Sequence, residues 1–491
     1  MDSLRPQDLR VGGDLDPEDW DSFEETAHKL LADAIATLKN ASEGPVWQAP
    51  SNTLKQALAT PAPTTGLGTD TIAEDLSALI PFRVGNTHPR FFGWVHGSGT
   101  PGNLLADIIA GAMNANCGGR EHAAIYVERQ TVGWMRDLFN FPADASGLIV
   151  SGTSMATLIA AKVARDVALG EQGRSAGVSG TKLVGYVSTE THSCVARAFD
   201  MLGLGTDALR QVAVNDDFEM DISDLARQVE EDRSAGLTPF FVCGTVGTVN
   251  TGAIDDLAAL AEFAEAQGLW FHVDGAFGAS AILCEKVKPR LIGIETADSL
   301  AFDFHKWMHV NYDAGCVLIR SGDAHRKSFQ RRPDYLAASP GGLAAGEFWP
   351  VDYGPELSRG FRALKVWAHI REHGLEKIGQ SINKNCRQAA YLADRIDAHP
   401  SLERLAPVTL NICCFRANSG NSTVADLDGL NAKIVEDLQV SGIAAPSTTR
   451  IDGKLAIRVN LTNHRTRFSD IDILISAIED LLAHQAQNHA Q

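Results

Sequence analysis

Between residues 104 and 320, short apolar runs alternate with amphipathic helical patterns, and this alternation constrains the fold most. The runs are GLIVSG (147–152), KLVGYVS (182–188), TPFFVCGT (238–245), GLWFHVDGA (268–276), DSLAFDF (298–304) and AGCVLIR (314–320). Helical patterns such as TSMATLIAAKVARDVAL, DISDLARQVEED and AIDDLAALAEFAEAQ stand between most of the earlier runs. A strand apolar on both sides must be covered on both sides, and helices do this in a mostly parallel sheet. The expected class is therefore α/β.

The flanks read differently. Residues 16–38 predict one amphipathic helix, with Trp20, Phe23, Ala27, Leu30, Leu31 and Ile35 at helical spacing. A Pro/Thr/Gly-rich loop, TPAPTTGLGTD, and a short helix over 72–79 follow. Such a segment has too little core to stand alone, so residues 1–100 are expected to lie on another subunit or on the main domain. Residues 101–374 form the expected large domain. Residues 375–491 form a small α+β domain, with strands NICCFRA and LAIRVNLT among three helices.

Charge excludes several functions. The chain has 491 residues, with 43 Lys plus Arg against 61 Asp plus Glu, a net charge of −18. Such a surface repels phosphate backbones and anionic membranes, so neither nucleic acid nor membrane is an expected partner. No run approaches the roughly 18 apolar residues of a membrane-spanning helix. The polar, acidic first 25 residues do not resemble a secretory signal. The eight cysteines are scattered with no CxxC, as expected of a reduced, cytoplasmic chain.

The chemistry concentrates between Trp270 and Lys306. One apolar run ends at Asp274, and another about thirty residues later ends in DFHKW, with Lys306. Ligands bind at strand ends in open parallel sheets. An acid and a lysine at one sheet edge suit pyridoxal 5′-phosphate (PLP). The amine forms a Schiff base with the cofactor aldehyde, and the carboxylate keeps the pyridine nitrogen protonated. Alone, Asp274 would be as readily a strand-end cap and Lys306 a surface charge; together they point to a cofactor.

A phosphate anchor is expected where GLIV runs into a helix, at Gly152, Thr153 and Ser154, although an ordinary N-cap reads the same way. GSGTPGN (97–103) is the rival loop. His192, just after KLVGYVS, could stack on a flat ring. His305 and His309 are four apart, but Lys306 stands where a zinc helix needs glutamate, so no metal is expected.

The stretches HPRFFGW, GTSMAT, ETHSCVARA, GTVGTVNTGAIDDL, LWFHVDGAFGAS and DFHKWMHVNYD occur here in the order of a known family. The chain resembles the group II PLP-dependent decarboxylases, the aromatic-L-amino-acid decarboxylase family, over nearly its whole length. The resemblance implies fold type I: a mainly parallel seven-stranded sheet between helices, a small C-terminal domain and an N-terminal helical dimerisation segment. It implies a homodimer that decarboxylates an L-amino acid to its amine. Lys306 would carry the cofactor and Asp274 pair with its ring nitrogen. Ala276 and His192 would cover the ring faces, and Thr153, Ser154 and Asp303 lie near the phosphate. Thr245 and His305 would sit close by. Asp303 departs from the asparagine of the animal enzymes. Tyr335, in the long segment after the last core strand, would return the proton after CO2 leaves. Relatives with phenylalanine there make aldehydes.

The implied substrate pocket is less typical. Trp94 keeps an aromatic after HPRFF, but Val95, His96 and Gly97 follow. The stretch implied to come from the partner, NANCGGREHA, is small and polar, with Arg120 as a candidate for a substrate carboxylate. Trp94, His96 and Arg120 are the expected substrate contacts. The rival functions are oxidative deamination to an aldehyde or transamination on the same fold, a non-catalytic PLP binder, and a nucleotide-binding α/β protein using GTSMAT.

Overall fold

The computed structural model describes residues 15–331, 339–346, 348–418 and 424–489. It divides into two compact units, Met1–Glu43 with Trp47–Gly85, and Gly44–Val46 with Asn86–Gln491.

The first unit contains helices Trp20–Lys39, Asn52–Ala57 and Thr69–Leu79. Asp19 caps the first by accepting from the Asp21 and Ser22 amides, and Ser51 caps the second through Leu54 N–H. Thr26 Oγ1 donates to Asp70 at 2.6 Å and Ser77 Oγ to Asp33 at 2.9 Å, tying the first helix to the third. Trp20, Ile35, Ile72 and Leu76 of the apolar stripes remain exposed.

The second unit holds two sheets. In chain order the strands are β1 (Phe91–Phe92), β2 (Ser146–Val150), β3 (Leu183–Ser188), β4 (Leu209–Val212), β5 (Thr238–Thr245), β6 (Trp270–Asp274), β7 (Ser299–Asp303), β8 (Gly315–Ile319), β9 (Leu402–Arg404), β10 (Ile412–Ala417), β11 (Ala445–Ile451) and β12 (Lys454–Asn460). The large sheet has seven strands in the order β2-β8-β7-β6-β5-β3-β4. Only β8 runs against the others, pairing antiparallel with β2 and β7. Six of these strands are the apolar runs; the seventh, β4, is a less apolar edge strand that sequence reading passed over. Every residue of β3, β7 and β8 is buried, which explains why these strands read as unbroken apolar runs.

The small sheet has the order β1-β11-β12-β10-β9. Phe91 and Phe92 of HPRFF thus pair with Ala445 and Pro446, more than 350 residues later. The segment that leaves β1 is held against the C-terminal region, and its onward course builds one wall of the site. The helical stretch Arg362–Asp397 breaks at Gly374, where φ is 72° and ψ is 154°.

A buried ion pair fixes the route into β2. Arg359 forms a fork with Glu128, at 2.6 and 2.9 Å, with both side chains almost wholly buried. Glu128 also accepts from Ile149 N–H at 3.0 Å, and Arg359 donates to Cys117 O at 2.9 Å. Removing one partner leaves a buried charge, which costs about 3–5 kcal/mol. Arg359→Met is expected to lower the urea midpoint by a matching amount, and an unchanged midpoint would contradict the assignment.

His272, His325 and His369 are buried, and burial pushes each imidazole down to about 3. The unfolded chain then binds more protons than the folded one below pH ~6.5. Stability from these groups is complete above that pH and is lost as pH falls toward 3. Each contributes a slope of up to about 1.4 kcal/mol per pH unit. The urea midpoint should therefore drop between pH ~6.5 and ~5; a flat profile would refute this.

Candidate active site

The carboxyl ends of β2, β3, β5, β6 and β7 meet along one edge of the large sheet, because these strands are all parallel to one another. A cavity of about 390 Å³ opens there. Its lining includes His96, Thr153, Ser154, His192, Ala276, Asp303, His305 and Lys306, all singled out from sequence.

Lys306 follows β7 by one tight turn. Its ammonium lies 2.8 Å from Asp303 Oδ2. Burial pushes the amine down, but Asp303, with help from Asp274, more than reverses this, so the net shift is upward. Asp303 Oδ1 accepts the Thr153 N–H at 2.7 Å. The acid that replaces asparagine therefore has its own partners: it joins the lysine to the first amide of the helix Thr153–Leu169. Gly315 on β8 makes room for this link, since a Cβ there would stand 2.6 Å from Asp303 Oδ1 and 2.6 Å from Gly152 Cα. His305 turns its Nδ1 to the Ala314 backbone, at 3.0 Å, with its Nε2 3.7 Å from Asp303.

Thr153 Oγ1 is buried and lacks a hydrogen-bond partner among the described residues. An unsatisfied hydroxyl at a helix N-terminus, with Ser154 beside it, fits a phosphate dianion. The donor set thus suits PLP at this end of the cavity.

Asp274 ends β6 and is 2 % exposed. It accepts from Ala276 N–H at 3.1 Å and from Cys194 Sγ at 3.7 Å. Burial raises its pKa, with Lys306 opposing. A buried carboxyl that holds protons readily suits contact with a basic ring nitrogen. Thr245 is its register partner on β5. The Thr245 N–H donates to Asp255 at 2.7 Å, and its hydroxyl lies 3.5 Å from that of Thr191. His192 accepts the Cys194 N–H at Nδ1, 3.2 Å away, which leaves Nε2 to carry the proton. Burial, partly offset by Asp274, lowers its pKa, so the ring is neutral.

Two expected substrate contacts are not brought to the cavity within this chain. Trp94 is 54 % exposed and does not line it. Arg120 lies over the Trp349 ring at 4.8 Å and lines a separate cavity of about 260 Å³ with Glu121 and Arg129. Tyr335 lies outside the described residues. Sequence reading missed Tyr312 and Cys194, which also line the site. Tyr312 stands six residues after the lysine, within a quoted motif, but nothing local marks its ring as turning back.

A lysine and an acid from adjacent strand ends, beside an anion-ready helix N-terminus on a seven-stranded sheet, define a fold type I PLP enzyme. Residues 50–418 match the pyridoxal-dependent decarboxylase conserved domain, and the chain belongs to that family. It is 34 % identical over 402 residues to the aromatic-L-amino-acid decarboxylase of Bacillus atrophaeus, covering 80 % of this chain and 81 % of that one. It is 28 % identical over 462 residues to the phenylacetaldehyde synthase of Arabidopsis thaliana, covering 90 % and 92 %. The crystal structure of Oryza sativa TDC with PLP and tryptamine superposes with a TM-score of 0.88 at 26 % identity, covering 96 % of this chain and 100 % of that one. The protein is a PLP-dependent amino-acid decarboxylase.

Proposed function

We propose that this enzyme converts an L-amino acid to its amine and CO2, and that it does so as a homodimer. The observation that carries the reading is the chain of contacts Thr153–Asp303–Lys306 beside the buried Asp274. The cofactor supplies an aldehyde carbon for the substrate amine and a ring that takes up electrons as the carboxylate leaves. Thr153 and Ser154 would hold its phosphate. Asp274 would keep a proton at the ring nitrogen, with Thr245 steadying the floor beside it. Ala276 and His192 would take the ring faces, His305 would set the lysine turn, and Lys306 would be the amine that holds the cofactor.

The exposed apolar stripes of the first unit support pairing with a second copy. Arg120, in the stretch implied to come from a partner, is then read as reaching the site of the neighbouring copy, and Trp94 as a neighbour of the His96 wall of its own site. Relatives named for aromatic amino acids support an aromatic substrate.

Tyr335 is assigned the return of a proton to the substrate Cα, which favours amine over aldehyde. Tyr335→Phe should still release CO2. With no phenol to protonate Cα, oxygen captures its electrons, and aldehyde, ammonia and peroxide replace the amine. The amine-to-aldehyde ratio in air, in both proteins, tests this. An unchanged ratio with an unchanged rate refutes the role. Aldehyde as the wild-type product would favour oxidative deamination, and a keto acid would favour transamination.

A further inference from the structure

His96 and Tyr312 form a wall of the cavity that carries hydrogen-bonding groups next to Lys306. The position of His96 is set by Gly97. A Cβ at Gly97 would stand 2.1 Å from the His305 carbonyl oxygen and 2.3 Å from that of Lys306. The backbone therefore lies directly on the lysine turn, and a larger residue would push it away. Two hydrogen bonds hold it there. Thr462 Oγ1 donates to the His96 carbonyl at 3.0 Å, and Asn86 Nδ2 donates to the Gly97 carbonyl at 2.7 Å.

The rings are equally constrained. His96 stacks on Phe91 with centroids 5.7 Å apart and planes at 24°. Its other neighbours are Trp94 at 5.8 Å and Tyr312, edge-on at 6.0 Å. Tyr312 lies 4.3 Å from the His305 ring. The Tyr312 carbonyl accepts from Lys365 Nζ at 3.1 Å, and Asp313 pairs with Arg362 at 3.0 Å, so the backbone beneath is clamped.

The chemistry of this wall is polar but uncharged. No described residue hydrogen-bonds the His96 ring nitrogens, while the ring lines the cavity. Burial, then Lys306 and His305, lower the His96 pKa, so the imidazole offers one donor and one acceptor at neutral pH. The Tyr312 phenol is raised, by burial first, and stays protonated.

We propose that His96 and Tyr312 are the specificity-determining pair, and that they select an amino acid whose side chain carries a hydrogen-bonding group over its hydrocarbon analogue. The inference rests on the decarboxylase reading above. A site built to hydrogen-bond a substrate rejects analogues that leave its polar groups unpaired.

The test measures CO2 release by the holoenzyme from each protein amino acid, with cofactor absorbance as a control for loading. Two near-isosteric pairs carry the decision, L-tyrosine against L-phenylalanine and L-glutamine against L-methionine. In whichever pair is turned over, the polar member should be preferred at least roughly tenfold in kcat/KM. His96→Phe and Tyr312→Phe should each bring that ratio toward unity at full cofactor loading. His96→Gln, which keeps a donor and an acceptor, should retain most of it. A preference for phenylalanine or methionine overturns the proposal, as does a ratio that survives both phenylalanine substitutions. Release of CO2 from none of the amino acids would instead refute the decarboxylase reading, and the inference with it.

Discussion

Lys306→Ala should abolish decarboxylation and the visible absorbance of lysine-bound cofactor. The loss should exceed roughly a thousandfold in kcat, or about 4 kcal/mol in the barrier. Among the described residues no second lysine lines the cavity, so no neighbouring amine there can take over. The substitution also strips Asp303 of its 2.8 Å partner, leaving the acid with the Thr153 amide and a histidine 3.7 Å away. Lower stability is therefore expected beside lost activity, and Lys306→Arg, which keeps a cation for Asp303, separates the two. It should restore stability without restoring turnover. Borohydride reduction of the wild type followed by peptide mapping should label Lys306. A reducible adduct that persists in Lys306→Ala would show that another amine carries the cofactor.

Asp274→Asn should leave the fold intact and lower kcat by at least about tenfold, or about 1.4 kcal/mol. The amide oxygen can still accept the Ala276 N–H, now 3.1 Å from the carboxylate, so the strand end keeps its local bond. What the amide cannot do is hold a proton at the ring nitrogen, and the electrons released with CO2 then lose their sink. The cofactor spectrum gives a second reading. Cofactor in the Asn variant should bind with the ring nitrogen unprotonated and with a changed absorption band. A kcat within tenfold of wild type and an unaltered spectrum would sink the assignment.

Much of this was legible along the chain because strand ends are local features. Asp274, Asp303, Lys306 and Thr153 each sit where an apolar run stops, and the parallel sheet aligns those stops on one edge. Once the run is recognised, its last residue is a candidate. The same logic explains the misses. The strand Leu209–Val212 lies at the sheet edge, is only partly buried, and lacks an apolar run to betray it. Tyr312 and Cys194 reach the cavity from a turn and a helix start, where no periodicity announces direction.

The sequence by itself determined the layered α/β architecture, the cofactor and the family. The architecture follows from hydrophobic period and the cofactor from residue types at strand ends, which short-range chemistry dictates, while the family follows from the resemblance of its ordered motifs. Only the tertiary structure decided the shape of the substrate wall. Phe91 and Phe92 pair with residues 445 and 446, and Gly97 lies on the carbonyls of His305 and Lys306. Those contacts join segments some 200 to 350 residues apart, and no local pattern encodes which distant backbone a short strand will meet. The tertiary structure likewise gave Asp303 its partners. An acid beside a helix N-terminus suited to a phosphate is puzzling as a letter in a motif. It becomes intelligible when one oxygen holds the Thr153 amide and the other the Lys306 ammonium, because a buried charge is tolerated only where such partners converge.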